Sequence, residues 1–116
     1  MRAISVASLV FSAVAIMASP TPVYADDAAA LAKAKHCFSC HDTKMEEVGP
    51  SFTDIARRFS GLKNAKSMLA SVIEGGSDSA PATYHFSHIK MPPAEARVPV
   101  TKAEADVLAD YVLSFK

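Results

Sequence analysis

The run Cys37-Phe38-Ser39-Cys40-His41 narrows what this chain can fold into more than any other feature. Two thiols three positions apart, with a histidine directly after the second, form the pattern of covalent haem attachment. At that spacing both sulfurs can reach the two vinyl groups of one porphyrin as thioethers, and His41 is then held beneath the iron as its proximal ligand. Three plainer uses of the pair fit less well. A thioredoxin-like redox pair wants a preceding strand and a βαβ pattern. A structural zinc site wants about four ligands, usually as two paired clusters, and only His36, His85 and His88 are left to supply them. A simple disulfide would leave His41 without a role.

The first segment bears on where such chemistry would happen. Met1-Arg2 makes a short positive start, residues 3–18 are almost wholly small or apolar, and Ser19-Pro20-Thr21-Pro22 breaks the run. Val23-Tyr24-Ala25 then puts small residues where a signal peptidase reads them, so residues 1–25 are expected to be a cleaved secretory signal. The apolar run of 16 residues is short of the roughly 20 a membrane anchor needs. Cleavage after Ala25 leaves one domain of 91 residues, 26–116, of which 11 are basic and 12 acidic. A formal charge of −1 predicts no attraction to nucleic acid and no general attraction to anionic membranes. A domain this small is near the limit of what a protein core alone can stabilise, and a large buried cofactor would help.

The rest of the chain reads as helices separated by loops. Asp27 is placed to cap an alanine-rich first helix running to Lys35, which delivers the chain into the cysteine motif. Ser51 or Thr53 opens a second, with Phe52, Ile55, Ala56 and Phe59 on one face, and Gly61 ends it. Asn64 opens a third, whose apolar stripe of Met68, Leu69, Val72 and Ile73 runs to Gly75-Gly76. Thr101-Lys102-Ala103-Glu104 is a capping box, and Ala105, Leu108, Val112 and Phe115 recur behind it at helical steps. Between Gly75 and Pro99 lies a long stretch without periodicity, and loops of that length in small domains are usually functional. Helices too few to bury their faces on one another can bury them against a haem.

Filling both axial positions from the protein closes the iron to oxygen and peroxide chemistry. Met91, His88, His85, Met45, Met68 and His36 are the candidates for the sixth ligand. Met91 is favoured, because it lies in the long loop immediately before Pro92-Pro93, which stiffen the chain and suppress a helix there. Met45 and His36 are too close in sequence to His41 to reach the opposite haem face easily, and Met68 sits in a helical stripe where methionine is usually core. His85 and His88 remain alternatives. On the proximal side a ligating histidine generally donates its second ring N–H to an acceptor. The Pro50 carbonyl, beside Gly49, is assigned that role. Lys33, Lys35, Lys63, Lys66 and Lys90 are a possible ring of steering charge about an exposed haem edge.

Taken together, these residues resemble a small bacterial class I cytochrome c of the short c-551/c-552 kind. The resemblance rests on Leu31, the Cys37 to His41 motif, Asp42-Thr43-Lys44-Met45, Val48-Gly49-Pro50, Gly76-Ser77, Met91-Pro92-Pro93 and the closing 108–114 segment. It implies an all-α fold of four to five short helices wrapped around one covalent haem c, with crossed first and last helices. It also implies a carrier passing single electrons between redox proteins of the periplasm, a reductase, oxidase or respiratory complex. The sequence departs from the pattern in five places, one being a longer loop before Met91 that holds Tyr84, His85 and His88. His36 stands where Gly usually precedes the first cysteine and Phe86 where a Trp is common. Val72 replaces an Arg that often contacts a haem propionate, and Ala94 an Asn that often bonds the methionine sulfur.

The expectation is therefore an electron-transfer protein, monomeric and not membrane-inserted after cleavage. Nothing in the sequence supplies a substrate pocket with a nucleophile or acid–base pair, so it is not read as an enzyme. The alternatives are a cytochrome subunit of one oxidoreductase complex and a haem sensor or peroxidase with an open sixth position.

Overall fold

The computed structural model describes residues 25–81, 83 and 87–116. Its α-helices are α1 (Ala25–Ala34), α2 (Phe52–Phe59), α3 (Ala65–Gly75) and α4 (Lys102–Leu113), and the described residues contain no strand. Single 3-10 turns at Cys37–Ser39, Ser77–Ser79 and Ala94–Ala96 punctuate the connections. The expected all-α architecture is thus the observed one.

Each helix boundary has a local cause. Asp27, expected at the cap of α1, lies inside its first turn with Asp26, where their charge suits the positive end of the helix dipole. The start of α2 is settled in favour of Ser51 over Thr53: the buried Ser51 Oγ accepts the Asp54 N–H at 3.1 Å. Asn64 precedes α3 as expected, but its side chain makes no capping bond, and its carbonyl instead accepts the Ser67 hydroxyl at 3.1 Å. The capping box of α4 is complete. Thr101 Oγ1 accepts from Glu104 N at 3.2 Å, and Glu104 Oε2 accepts from Thr101 N at 2.9 Å.

Helix α4 is the spine, packing against α1, α2 and α3. Ala32, Ala105 and Ala109 are wholly buried in the common core, so α1 and α4 can approach closely where only methyl groups intervene. Lys35 fastens the same crossing from outside, its Nζ lying 2.8 Å from the Pro99 carbonyl and 2.9 Å from Glu104 Oε2. Met68 packs against the core, as a methionine in a helical stripe should. Among the described residues no helix is long and apolar enough to cross a membrane.

Candidate haem site

A cavity of about 450 Å³ opens between these helices and the loops that follow Ala34 and Gly75. Leu69, Ile73, Leu108 and Val112 supply apolar wall, while Cys37, Cys40 and His41 lie along one side and Met91 lines it from the long loop. Neither cysteine is in a disulfide. Burial pushes the Cys37 thiol up from its ordinary value, with the charge of Arg97 opposing. An activated redox cysteine is shifted the other way, which argues against the thioredoxin-like use of the pair. Among the described residues no three His, Cys, Asp or Glu side chains gather as a metal site.

His41 is held by the loop that follows it. Gly49 N donates to the Cys40 carbonyl at 2.8 Å and Phe52 N to the Asp42 carbonyl at 2.9 Å, closing the loop on itself. Asp42 stiffens its start: Oδ1 accepts from Lys44 N and Met45 N at 2.8 and 2.9 Å, and these bonds hold the carboxyl below its ordinary value. The closure brings the Pro50 carbonyl 2.6 Å from His41 Nδ1. With the proton on Nδ1 the imidazole donates to that oxygen, and Nε2 keeps its lone pair for a ligand. The Phe52 ring lies against the same imidazole, centroids 5.7 Å apart and planes 28° apart, and it also meets Tyr111 and Phe115. Phe52 therefore ties His41 to the end of α4.

Met91 is clamped through its backbone. Its N–H donates to Ser77 Oγ at 2.8 Å, and its carbonyl accepts from Ser77 N at 3.1 Å. Gly76, at φ +90°, lets the end of α3 pass directly beneath this segment. Lys90 and Asp78 pair at 2.7 Å alongside. The rival sixth ligands fare differently. Met45 is 63% exposed, and Met68 is occupied in the core. His88 is exposed and does not line the cavity; His36 does line it, on the cysteine side. His85 lies outside the described residues, as does Phe86.

The cavity suits a haem on two counts. Its walls are mainly apolar while its approach from the cysteine side carries a histidine oriented by its neighbour, the donor set a c-type iron requires. A Cβ on Gly49 would lie 2.7 Å from the His41 ring, so the space beside the imidazole is kept clear by the absence of a side chain.

The family model described as cytochrome c matches residues 25–116, the whole of this architecture. The chain belongs to the cytochrome c family. It is 40% identical to cytochrome c-552 of Hydrogenobacter thermophilus over 86 residues, 74% of this chain and 79% of that one. It is 38% identical to cytochrome c-551 of Stutzerimonas stutzeri over 95 residues, covering 82% and 83% of the two. The crystal structure of Nitrosomonas europaea cytochrome c552 superposes with a TM-score of 0.64 at 38% identity, covering 76% of this chain and 99% of that one. As a small class I cytochrome c, this chain carries covalently bound haem c and serves as a single-electron carrier, not an enzyme.

Sequence reasoning placed the cysteine pair and the Pro50 contact but missed two residues. Phe52 was read only as the apolar face of a helix, and its stacking on His41 depends on loop closure that no local pattern reveals. Arg97, a lone cation in the long loop, carried no signal at all. Of the lysines proposed to ring the haem edge, Lys35, Lys66 and Lys90 each sit in an ion pair, with Glu104, Asp110 and Asp78.

Proposed function

We propose that Cys37 and Cys40 form the haem thioethers, that His41 and Met91 are the axial ligands, and that the Pro50 carbonyl orients His41 from behind. The observation that carries this reading is the 2.6 Å contact between His41 Nδ1 and Pro50 O, in a cavity whose wall also includes Met91. When bound, the haem supplies an iron that cycles between ferric and ferrous states by one electron. The chain's own residues do the rest. Pro50 fixes the tautomer of His41, Phe52 limits its rotation, and Ser77 holds the backbone of Met91 at both its N–H and its carbonyl. A ligand set fixed before and after electron transfer needs little reorganisation. A neutral methionine sulfur also favours the ferrous iron, raising the potential above that of a bis-histidine site.

Residues 1–25 act as the cleaved secretory signal in this reading. The domain at 26–116 then works as a monomer in the periplasm, between a donor and an acceptor redox protein. Optical spectra of the purified ferric and ferrous protein test the ligands. The weak long-wavelength band of ferric iron bound to methionine is expected in the wild type and absent in Met91→Ala. A wild type lacking that band would put His85, His88 or an open position in place of Met91. The mass of the exported protein checks the cleavage site, which should leave Asp26 as the first residue.

A further inference from the structure

Among the described residues Arg97 is a cation with a buried side-chain nitrogen, Nη2, that has no hydrogen-bond partner. Its Nε donates to the Pro92 carbonyl at 2.7 Å, one residue beyond Met91, and that bond points the guanidinium into the wall of the cavity. All twelve Asp and Glu residues of the chain are among those described, and none pairs with it. Cys37 lines the same cavity, and its thiol feels the charge of the guanidinium. A guanidinium keeps its proton at any pH a protein survives, and a buried cation without a counter-ion is costly.

We infer that Arg97 is a fixed, uncompensated positive charge of the haem cavity that favours the ferrous iron and raises the reduction potential. The inference rests on the haem reading proposed above. A haem carries its two carboxylates on the edge away from its vinyl groups. Cys37, which lines the cavity together with Arg97, would be bonded at the vinyl end, the end that brings no anion to neutralise a guanidinium. Reduction takes one electron from the partner protein and lowers the charge on the iron by one unit. A nearby cation stabilises the reduced form relative to the oxidised one, and the part of it held in the cavity acts through a lower dielectric than water. Through Pro92 the same side chain also braces the loop that presents Met91, so the charge and the ligand are held in one arrangement.

Potentiometric titration of the purified holoprotein tests this, comparing wild type with Arg97→Gln and Arg97→Lys and following the methionine band in the same samples. Arg97→Gln should raise the ferric-to-ferrous ratio at a fixed solution potential about tenfold, a midpoint about 59 mV lower for a one-electron couple. Arg97→Lys should stay close to wild type. High salt should shrink the gap only in part, since Nη2 is buried while the bond to Pro92 lies at the surface. A Gln variant with the wild-type midpoint overturns the inference. Equal falls in Gln and Lys overturn it too, assigning the effect to the bond with Pro92. A shift confined to the pH range where a haem carboxylate titrates overturns it by supplying the missing counter-ion. A wild type without the methionine band overturns the Met91 assignment itself, and is seen before any variant is compared.

Discussion

Gly49 lies so close to the ring of His41 that a Cβ there would fall 2.7 Å from Cε1 and 3.0 Å from Nδ1. The ring cannot yield easily, because Pro50 holds Nδ1 and Phe52 covers one face. Gly49→Ala must therefore tilt the imidazole or open the loop bond from Gly49 N to the Cys40 carbonyl. Overpacking of this kind costs about 1–3 kcal/mol. Denaturant unfolding of the holoprotein should show a loss in that range, with a changed ferric spectrum reporting the tilt. Wild-type stability and spectrum together would mean that the loop relaxes freely, against the closure described here.

Gly76 makes a corresponding approach to the segment that carries Met91. Its φ of +90° disfavours any residue with a side chain, and a Cβ would fall 2.6 Å from the Pro92 carbonyl oxygen and 2.9 Å from that of Met91. Backbone strain of about 1–3 kcal/mol and steric overlap would act together in Gly76→Ala. The expected loss is about 2–4 kcal/mol. It should be accompanied by a weaker methionine band, since the displaced segment is the one that carries Met91. Loss of stability with the band intact would show that the strain is absorbed in α3.

These two glycines mark how far the sequence could be read. The helices were legible because their faces repeat at three- and four-residue steps and because Ser51 and Thr101 are strong caps. His41 and Pro50 were legible because a short loop limits where the acceptor can lie. Arg97 was not, because its place depends on a bond to Pro92 five residues away in a loop without periodicity. Nor was the pairing of Lys35 with Glu104, since residues 69 apart in the chain meet only after α1 has packed on α4. Asp27 falls in the first turn of α1 and not before it for a simpler reason: an acidic residue suits a cap and a first turn almost equally well.

The Lys35 and Glu104 contact should appear as acid sensitivity. The Lys35 ammonium, and then the Thr101 N–H, hold the Glu104 carboxyl below its ordinary value of 4.5. A carboxyl lowered in the folded state contributes stability that is fully present above its unfolded pKa and is lost as pH falls through the folded one. The stability gap between wild type and Glu104→Gln should therefore be constant near neutral pH and close below about pH 4.5. Urea unfolding at a series of pH values measures it. A gap that stays constant through that range would remove Glu104 from the linkage.

His36 is the remaining cost written into the chain, the only non-glycine residue with positive φ among those described, at φ 60° and ψ 27°. The left-handed conformation costs an ordinary L-residue about 1–2 kcal/mol. Glycine relieves that strain but loses more freedom on folding, a penalty of about 0.5–1 kcal/mol. His36→Gly should therefore gain a net 0.5–1 kcal/mol or so in denaturant unfolding of the holoprotein. His36→Ala supplies the control, because it removes the imidazole and keeps the strain. Should Ala match wild type while Gly gains, the backbone is the cause. Should both variants lose stability, the imidazole makes a contact worth more than the strain it imposes, and its position beside the first cysteine would be a haem contact.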